Sequence, residues 1–582
     1  MSLPRSAGAR LLRAGILASA ITLAAASAAV ARQVSVRRVD AELLVREDGL
    51  LDVTERLDIR FDGAWNGFYR TIPVEYRGPG GLNYTLRLKV LSVTDGSGAP
   101  LRYELKREGR LLRVKVYIPG ATDADRMLVL RYRVQQGLRF FPDHDELYWN
   151  VVGQDSDVPV ALASARVLLP GAVSGVRAQA FEGPDGATEP GGADVVGGNV
   201  VDVRALRPLS PKEGLTVAVG WAPGVVHRPT PVERVWLFLI SNWILLLPLL
   251  TLAVMGRIWY LYGRDPRLRP IAPRYEPPDA LTVAEAGALL DSGADPKDVT
   301  ATLVDLAVRG YLRIEEHETG GVLGLFGKTD YIFHRTRPRE AWSELLPHEQ
   351  ALLSALFDDG DRSAVPMSSL VNSFYKELPR IKDAVFDRLV YRGYYKRRPD
   401  AVKKPFLAGG VVFGALVAYG GAALAQRLLG QQPLPFVISG IVTGLVIVLF
   451  GLIMPARTLV GARALEGVLG FEEFLRRVEG DRIERVIKTP ELFEKYLAYA
   501  MAFGVAKQWA SAFEDICREP PRWYAGPPGR QFRASAFTHD LGQMCGQTAT
   551  AMTSAPKSSG SSGLGGGGSS GGGFGGGGMG GF

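Results

Sequence analysis

Three long apolar stretches constrain this chain more than any other feature. They cover residues 234–256, 405–426 and 434–455, and apart from Arg234 they contain no lysine, arginine, aspartate or glutamate. Each has about the 20 residues that an α-helix needs to cross a hydrocarbon core of about 30 Å. The chain is therefore predicted to be a multi-domain membrane protein with three transmembrane helices over these ranges.

Residues 1–31 have the pattern of a secretory signal peptide. Arg5, Arg10 and Arg13 precede a short apolar run, and small residues follow up to Ala31. The run is too short for a membrane span, and the pattern predicts cleavage after Ala31. An uncleaved N-terminal anchor is the alternative. Either interpretation sends the next segment across the membrane.

Lysine and arginine are distributed unevenly around the apolar stretches. Residues 257–269 carry four of them, residues 396–404 carry five, and the connector 427–433 carries only Arg427. Such residues concentrate on the cytoplasmic side of a membrane. We therefore expect a multi-pass protein of the cell inner membrane, with residues 32–233 in the periplasm and residues 257–404 and 456–582 in the cytoplasm.

The segment 32–233 alternates apolar and polar residues in short runs. One such run includes Leu51, Val53, Glu55 and Leu57, and it follows the turn dipeptide Asp48-Gly49. Alternation with period two indicates strands that bury one face, and Asp-Gly between two runs indicates a hairpin. The segment is predicted to form an antiparallel β-sandwich. It contains no cysteine, so its core must be stable without disulfides.

Several motifs follow one another in an order that resembles a known family. They are Gly67-Phe68-Tyr69-Arg70-x-Ile72-Pro73, Leu147-Tyr148-Trp149-Asn150-Val151-Val152-Gly153, Gly263-Arg264-Asp265-Pro266, Asp305-Leu306-Ala307-x-Arg309-Gly310-Tyr311 and Gly470-Phe471-x-x-Phe474-Leu475. The chain resembles the YciQ-like predicted bacterial membrane proteins, whose exported part is a domain of unknown function (family 2207). The resemblance covers about residues 36–582 and implies architecture, not activity.

Four residues of these motifs are candidates for partner binding: Arg70, Tyr148, Trp149 and Asn150. A guanidinium at Arg70 could bind an anionic partner. The alternative is a structural arginine that is tied to backbone carbonyls or to a buried carboxylate. No catalytic arrangement, metal site or cofactor fingerprint is recognisable, so we expect no enzyme, no cofactor and no small-molecule substrate.

Residues 257–404 contain one pattern twice. Residues 300–313 and 383–396 both place Arg-Gly-Tyr after an amphipathic helical run, at Gly310 and Gly393, and a shorter helix is predicted before each copy. A glycine at such a position ends a helix in the left-handed conformation. The segment is predicted to be an α+β module of two winged-helix-like units, with these glycines as structural turns.

Winged helices often bind DNA, which suggests a membrane-tethered regulator as an alternative function. The best candidate surface is the helix with Arg380, Lys382, Arg388 and Arg392, together with the wing Lys396-Arg397-Arg398. However, residues 257–404 carry 23 lysines and arginines against 22 aspartates and glutamates. A DNA-binding domain needs a clear positive face, so we expect nucleic acid to be an improbable partner.

The last region divides into two parts. Residues 456–519 have apolar residues at helical spacing and are predicted to be a cytoplasmic helical region, whereas residues 520–582 are rich in proline, glycine and serine and are predicted to be disordered. The tail would be passive or would carry weak docking residues. The expected function is a non-enzymatic envelope scaffold or signalling protein that links an exported binding domain to cytoplasmic partners, with the lipid bilayer and unidentified envelope or cytoplasmic proteins as partners.

Overall fold

The computed structural model describes residues 32–171, 173–319, 328–477, 489–526, 532–554, 574–575 and 578–582. The predicted signal peptide lies outside the described residues. The chain forms two compact units. The first, the β domain, contains the N-terminal region together with residues 414–442 and 565–582. The second, the helical domain, contains residues 250–413 and 443–564.

The β domain is rich in strands, as the alternation predicts. Its N-terminal strands are β1 (Gln33–Val45), β2 (Leu51–Ala64), β3 (Gly67–Pro73), β4 (Glu75–Arg77), β5 (Asn83–Thr85), β6 (Arg87–Asp95), β7 (Tyr103–Glu108), β8 (Leu111–Tyr117), β9 (Thr122–Gln135), β10 (Leu138–Phe140), β11 (Asp145–Val152), β12 (Val160–Leu168), β13 (Arg177–Gly183), β14 (Glu189–Val196), β15 (Val200–Arg204) and β16 (Gly214–Trp221). Two short strands, β21 (Phe574–Gly575) and β22 (Met579–Gly581), come from the last residues.

One long sheet and one small sheet share the apolar core of this domain. The long sheet has the order β10-β11-β16-β13-β14-β15-β12-β1-β2-β9-β6, and the small sheet has the order β22-β3-β8-β7. The predicted turn at Gly49 joins β1 and β2, and this glycine has a φ of 79°. The expectation of a purely antiparallel arrangement is wrong, because β1 runs parallel to β12 and β11 runs parallel to β21.

Three described helices are long and apolar enough to cross a membrane: Trp243–Gly263, Pro399–Leu429 and Leu434–Ile453. The second and third contain the predicted ranges almost completely. The first apolar stretch, predicted as one helix, is instead broken at Asn242, after α1 (Pro231–Ser241) and before the long helix that contains α2 (Leu247–Ile258). The break occurs because Asn242 leaves the helical conformation and bonds to the backbone of Asn83, in the β domain.

The helical domain surrounds a second apolar core. Its elements, together with those of the second and third apolar helices, are α3 (Val283–Asp291), α4 (Pro296–Val308), β17 (Leu312–Thr319), β18 (Lys328–Arg335), α5 (Pro347–Phe357), β19 (Ala364–Pro366), α6 (Leu378–Tyr391), α7 (Pro399–Ala415), α8 (Ala422–Leu429), α9 (Leu434–Ile453), α10 (Leu459–Arg477), α11 (Pro490–Ala502), α12 (Ala506–Ser511), β20 (Tyr524–Ala525) and α13 (Ala534–Thr553).

Only the first copy of the repeated pattern has the predicted hairpin among the described residues. Strands β17 and β18 follow α4 and lie in a sheet of order β19-β18-β17-β20. After α6 the chain forms no strand pair of this kind, because it enters the long apolar helix at Pro399 after a single isolated bridge between Tyr395 and Arg457. The prediction of a second wing is wrong.

The prediction of disorder throughout residues 520–582 is also wrong. Helix α13 lies within this range and buries Phe537, Leu541, Met544 and Met552 in the core of the helical domain. Their spacing of three, four and eight residues places them on one helix face. This pattern was not recognised because the sequence on either side of the helix is rich in proline and glycine.

Candidate functional site

The edge of β3 binds a short segment from the far end of the sequence. We call residues 578–582 the glycine segment. Its strand β22 runs antiparallel to β3, with Met579 opposite Arg70 and Gly581 opposite Phe68. The pairing continues at both ends of the segment, where the amide of Thr71 donates to the carbonyl of Gly578 (2.8 Å) and the amide of Asn66 donates to the carbonyl of Phe582 (2.8 Å).

Three glycines of this segment lie where a side chain would collide with the β domain. A Cβ atom on Gly580 would lie 2.7 Å from the hydroxyl oxygen of Tyr69, and one on Gly581 would lie 2.6 Å from the ring of Trp65. A Cβ atom on Gly578 would overlap the carbonyl oxygen of Asp155. Because real Cβ atoms do not approach neighbours so closely, the site accepts only glycine at these positions unless it rearranges.

The two larger side chains of the segment each have a defined environment. Met579 is fully buried and belongs to the core of the β domain. Phe582 contacts the ring of Tyr117 edge-on at 5.5 Å between centroids, and the ammonium of Lys115 lies 4.1 Å from the centre of the Phe582 ring. This is a cation–π contact, which attracts a cation to an aromatic face. The β3 edge, Trp65, Tyr69, Thr71, Lys115 and Tyr117 together form what we call the β3 edge site.

Arg70 does not present its guanidinium to a partner. Its side chain is 1% exposed and bonds to both carboxylate oxygens of Glu55, at 2.9 and 3.1 Å, and Tyr132 donates to the same carboxylate at 2.7 Å. Burial disfavours the charge, but the carboxylate of Glu55 more than compensates and raises the pKa of Arg70 above its usual value. The expectation of an exposed arginine is wrong, and the structural alternative is correct.

The sequence did contain a signal for this buried pair. Glu55 occupies an inward position in the alternation of β2, between Val53 and Leu57, and a carboxylate on a buried face requires a cation or other hydrogen-bond donors. In the β3 edge site, the backbone of Arg70 lies opposite Met579.

The other three candidates lie together on β11. Trp149 is buried in the core, and Tyr148 is half-buried with the guanidinium of Arg139 5.0 Å from its ring. Asn150 accepts a hydrogen bond from Thr216 at 2.7 Å. Tyr148 and Asn150 line a cavity of about 290 Å³ beside the loop that follows Glu182. The backbone of β11 also pairs with β21, with Trp149 opposite Phe574 and Asn150 opposite Gly575.

The candidate residues therefore lie on the two strands that pair with the last residues of the chain, although three of the four, Arg70, Trp149 and Asn150, are buried. Residues 520–582 were predicted to be a disordered tail with a docking alternative, and the position and register of this pairing were missed. Three of the five residues of the glycine segment are glycine, which is depleted in strands, so strand propensity predicts no strand there.

In the helical domain, Gly310 and Gly393 both adopt the left-handed conformation, with φ of 76° and 75°. At each, the amide of the next tyrosine donates back to the helix, from Tyr311 to Leu306 and from Tyr394 to Leu389. These bonds satisfy carbonyls that the helix end leaves free. The two glycines are structural turns in the described chain.

The arginines beside these glycines are engaged by buried carboxylates. Arg392 bonds to Glu285 at 2.9 Å, and the Nε atom of Arg388 lies 3.6 Å from the same carboxylate. Arg309 bonds to Glu349 at 2.6 Å and to Asp305 at 3.1 Å. Two arginines of the surface that was the best candidate for binding phosphates, Arg388 and Arg392, are therefore directed towards a carboxylate of the same domain.

Two family models match the sequence. One describes the N-terminal domain of the predicted membrane protein DUF2207 and matches residues 35–221, and the other describes its C-terminal domain and matches residues 272–513. This chain belongs to the DUF2207 family. The resemblance that the motifs indicated is thereby confirmed.

A relative of this DUF2207 protein is the uncharacterized protein YciQ of Escherichia coli (strain K12), with 25% identity over 377 residues. The matched region covers 60% of this chain and 56% of YciQ, so it spans little more than half of that relative.

Two solved structures show weak similarity. They are native leukotriene A4 hydrolase from Saccharomyces cerevisiae, with 11% identity, a TM-score of 0.22 and coverage of 32% of this chain and 29% of the hydrolase, and an M1 zinc metallopeptidase from Deinococcus radiodurans, with 14% identity, a TM-score of 0.20 and coverage of 32% and 42%. Similarity at these scores supports no conclusion about this DUF2207 protein.

Proposed function

We propose that this DUF2207 protein is a non-enzymatic scaffold or signalling protein of the inner membrane. Its exported β domain binds segments of partner polypeptides by strand addition, and its cytoplasmic helical domain binds other proteins. The observation that supports strand addition is the pairing of the glycine segment with the β3 edge. In strand addition, main-chain hydrogen bonds provide affinity and pockets for alternate side chains provide specificity.

The proposed orientation follows from the charges that flank the apolar helices and has support within the β domain. Asn83 bonds to Asn242, just before the first apolar helix, and accepts a hydrogen bond at 2.6 Å from the amide of Gln432, in the connector between the second and third. A connector that lies beside the β domain belongs on the same face of the membrane. This agrees with a periplasmic β domain and a periplasmic connector.

For the helical domain we propose protein partners and not DNA. Its acidic and basic residues are nearly equal in number, and Arg388 and Arg392 both face the buried carboxylate of Glu285. Neutralising phosphates would require a surface on which positive charge is free to approach the duplex.

Photo-crosslinking in intact cells tests strand addition. A photoreactive residue replaces Tyr69 at the β3 edge in one variant and Lys106 on β7, the opposite edge of the same sheet, in a control variant. The side chain of Lys106 is 75% exposed and Tyr69 is half-buried, so both positions can reach a partner. We expect the first variant to crosslink to an extended segment of a polypeptide that mass spectrometry identifies, and the second to give no such product. Equal crosslinking at both edges, or at neither, would contradict the proposal.

A further inference from the structure

One end of the β domain contacts the ends of the apolar helices. Asn83 of β5 bonds to Asn242, one residue before the first apolar helix, and the guanidinium of Arg107 on β7 donates to the carbonyl of Leu429, at the end of the second, at 3.3 Å. The connector between the second and third helices also reaches Asn83, through the amide of Gln432 at 2.6 Å. Strands β5 and β7 therefore lie at the surface of the membrane that these helices cross.

Two adjoining cavities lie at this end of the β domain. The first has a volume of about 540 Å³ and lies between β6 and the strands β7 and β8. The second has a volume of about 320 Å³ and lies between β10 and α1. The two cavities share Leu50, Arg87 and Gln135 in their linings, and we call the pair the juxtamembrane groove. Volumes of this size are typical of sites for small ligands.

The first cavity is positively charged. Among the described residues of its lining none is acidic, and four carry cationic side chains: Arg87, Lys89, Arg107 and Arg133. Arg107 and Arg133 each bond to a carboxylate from outside the lining, Arg133 to Asp52 at 2.6 and 2.9 Å. Arg87 and Lys89 are exposed, and no carboxylate of the described chain pairs with either of them. Because two cationic side chains are unpaired, the cavity attracts an anion.

The second cavity is largely apolar and includes the helix that leads into the membrane. Its lining contains Leu138 and Phe140 of β10 together with Trp236 and Leu237 of α1. Its two carboxylates, Asp48 and Glu233, are bonded to Arg46 and Thr230. Trp236 is 63% exposed, and α1 ends one residue before the first apolar helix. Tryptophan is enriched at membrane–water interfaces, so this side of the groove adjoins the lipid.

We infer that the juxtamembrane groove binds an anionic phospholipid of the leaflet that adjoins the β domain, with its phosphate near Arg87 and Lys89 and an acyl chain along Leu138 and Trp236. A free phosphate ester would leave the apolar cavity unfilled, and the ammonium of a zwitterionic lipid would be repelled by the cationic one. The inference does not depend on strand addition, because β3 and β7 are opposite edges of the small sheet.

Photo-labelling of the full-length protein in phosphatidylcholine vesicles tests the inference. The probe is a phosphatidylglycerol with a diazirine on one acyl chain, and the matched probe is a phosphatidylcholine with the same chains. Mass spectrometry measures the labelling of β10, because the buried Leu138 adjoins the second cavity whereas α1 and the apolar helices contact every lipid. We expect at least about fivefold more labelling of β10 by the phosphatidylglycerol probe, since even one basic residue beside an anionic lipid contributes about that factor.

Three variants assign the selectivity to the unpaired charges. Arg87→Gln with Lys89→Gln should lower the labelling of β10 by phosphatidylglycerol at least about fivefold, and Arg87→Lys with Lys89→Arg should retain most of it. The control is Arg38→Gln with Arg177→Gln, which removes two exposed arginines of β1 and β13 that line neither cavity. It should be labelled like the natural protein. All four side chains are exposed, so each variant should fold.

Three results would overturn the inference: equal labelling of β10 by the two probes, no labelling of β10 by either, or labelling by phosphatidylglycerol that persists in the double glutamine variant. The source of the phosphate is tested by adding sn-glycerol 3-phosphate in about tenfold excess over the probe. We expect no effect, because this ester has no acyl chain to fill the apolar cavity. Loss of labelling would assign the groove to a soluble phosphate ester and would also overturn the inference.

Discussion

Two arginine–glutamate pairs connect the copies of the repeated pattern crosswise. Arg392, at the end of the second copy, bonds to Glu285 on the helix that precedes the first copy, and Arg309 bonds to Glu349 on the helix that precedes the second. Each glutamate also accepts from the backbone amide three residues before it, at the start of its own helix. The sequence shows the repeat but not this exchange, because each pair joins residues that are far apart in the chain.

We predict that Glu285→Gln and Glu349→Gln each destabilise the helical domain. Both glutamates are almost fully buried, and the amide cannot neutralise the arginine that faces it. Removing one partner of a fully buried pair costs about 3–5 kcal/mol, and because Arg392 and Arg309 are partly exposed we expect about 2 kcal/mol. Denaturant unfolding of the purified protein measures the change.

The control for these variants is Arg362→Gln. Arg362 pairs with Asp358 at 3.6 Å, and the two side chains are 58% and 69% exposed. Exposed pairs contribute little, so this variant should change the free energy of unfolding by less than about 0.5 kcal/mol. A cost as large as that of the glutamate variants would mean that charge balance, and not the buried pairs, determines the stability of the domain.

Asp298, near the start of α4, gives a prediction about pH. Its carboxyl group is buried and accepts a hydrogen bond from the amide of Asp295, and burial raises its pKa to about 8. The folded protein therefore keeps this proton between about pH 4 and pH 8, whereas the unfolded chain releases it, so the contribution of Asp298 to stability falls as pH rises through this range. We predict that Asp298→Asn is more stable than the natural protein at pH 8, by about 5 kcal/mol, and equally stable near pH 4.

Thermal unfolding at several pH values tests this prediction. A difference between the two proteins that does not depend on pH would show that Asp298 is ionised in the folded state.

At the scale of elements, the sequence predicted those strands and helices that have a local pattern of apolar and polar residues. Alternation located β2, and the helical run before Gly310 located α4. Helix α13 was missed although its apolar residues have helical spacing, because the glycine and serine that follow dominate the composition of the region. Strand β22 could not be predicted at all. Its partner β3 lies about 500 residues earlier, and its glycines are required by the shape of that distant site.

Two glycine-to-alanine substitutions should have opposite effects on the helical domain. A Cβ atom added at Gly393, with a φ of 75°, or at Gly542, inside α13, would meet no neighbouring atom within 4 Å, so neither substitution causes a collision. In the left-handed conformation alanine is strained, and we expect Gly393→Ala to cost about 1 kcal/mol. In a helix alanine is preferred, and we expect Gly542→Ala to stabilise by about 0.5–1 kcal/mol. Denaturant unfolding measures both. A Gly393→Ala variant as stable as the natural protein would contradict the account of Gly393, and destabilisation by Gly542→Ala would contradict the account of α13.

At the scale of the whole molecule, the sequence predicted the apolar helices well because each is a continuous local signal. It placed the start of the first helix wrongly, because the break at Asn242 depends on a hydrogen bond to Asn83, 159 residues away. Which face each domain occupies follows from the flanking charges and remains a prediction. It can be measured directly, because the natural cysteines are poor targets for labelling.

Cys517 and Cys545 are both buried, and burial raises their pKa values to about 11 and about 12. The thiolate is the reactive form, so both should react slowly with maleimides. A single exposed cysteine introduced elsewhere therefore reports its own location. The positions we choose are Lys106 in the β domain, Arg362 in the helical domain and Ser558 in the glycine- and serine-rich sequence before the glycine segment.

We predict that a membrane-impermeant maleimide added to cells with a permeable outer membrane labels Lys106→Cys and does not label Arg362→Cys or Ser558→Cys until the inner membrane is disrupted. In the proposed orientation, three crossings separate the β domain from the glycine- and serine-rich sequence and one crossing separates it from Arg362. Labelling of Arg362→Cys in intact cells would overturn the orientation derived from the flanking charges. Labelling of Ser558→Cys alone would place the sequence before the glycine segment on the periplasmic face, where residues 578–582 can pair with β3 of the same chain.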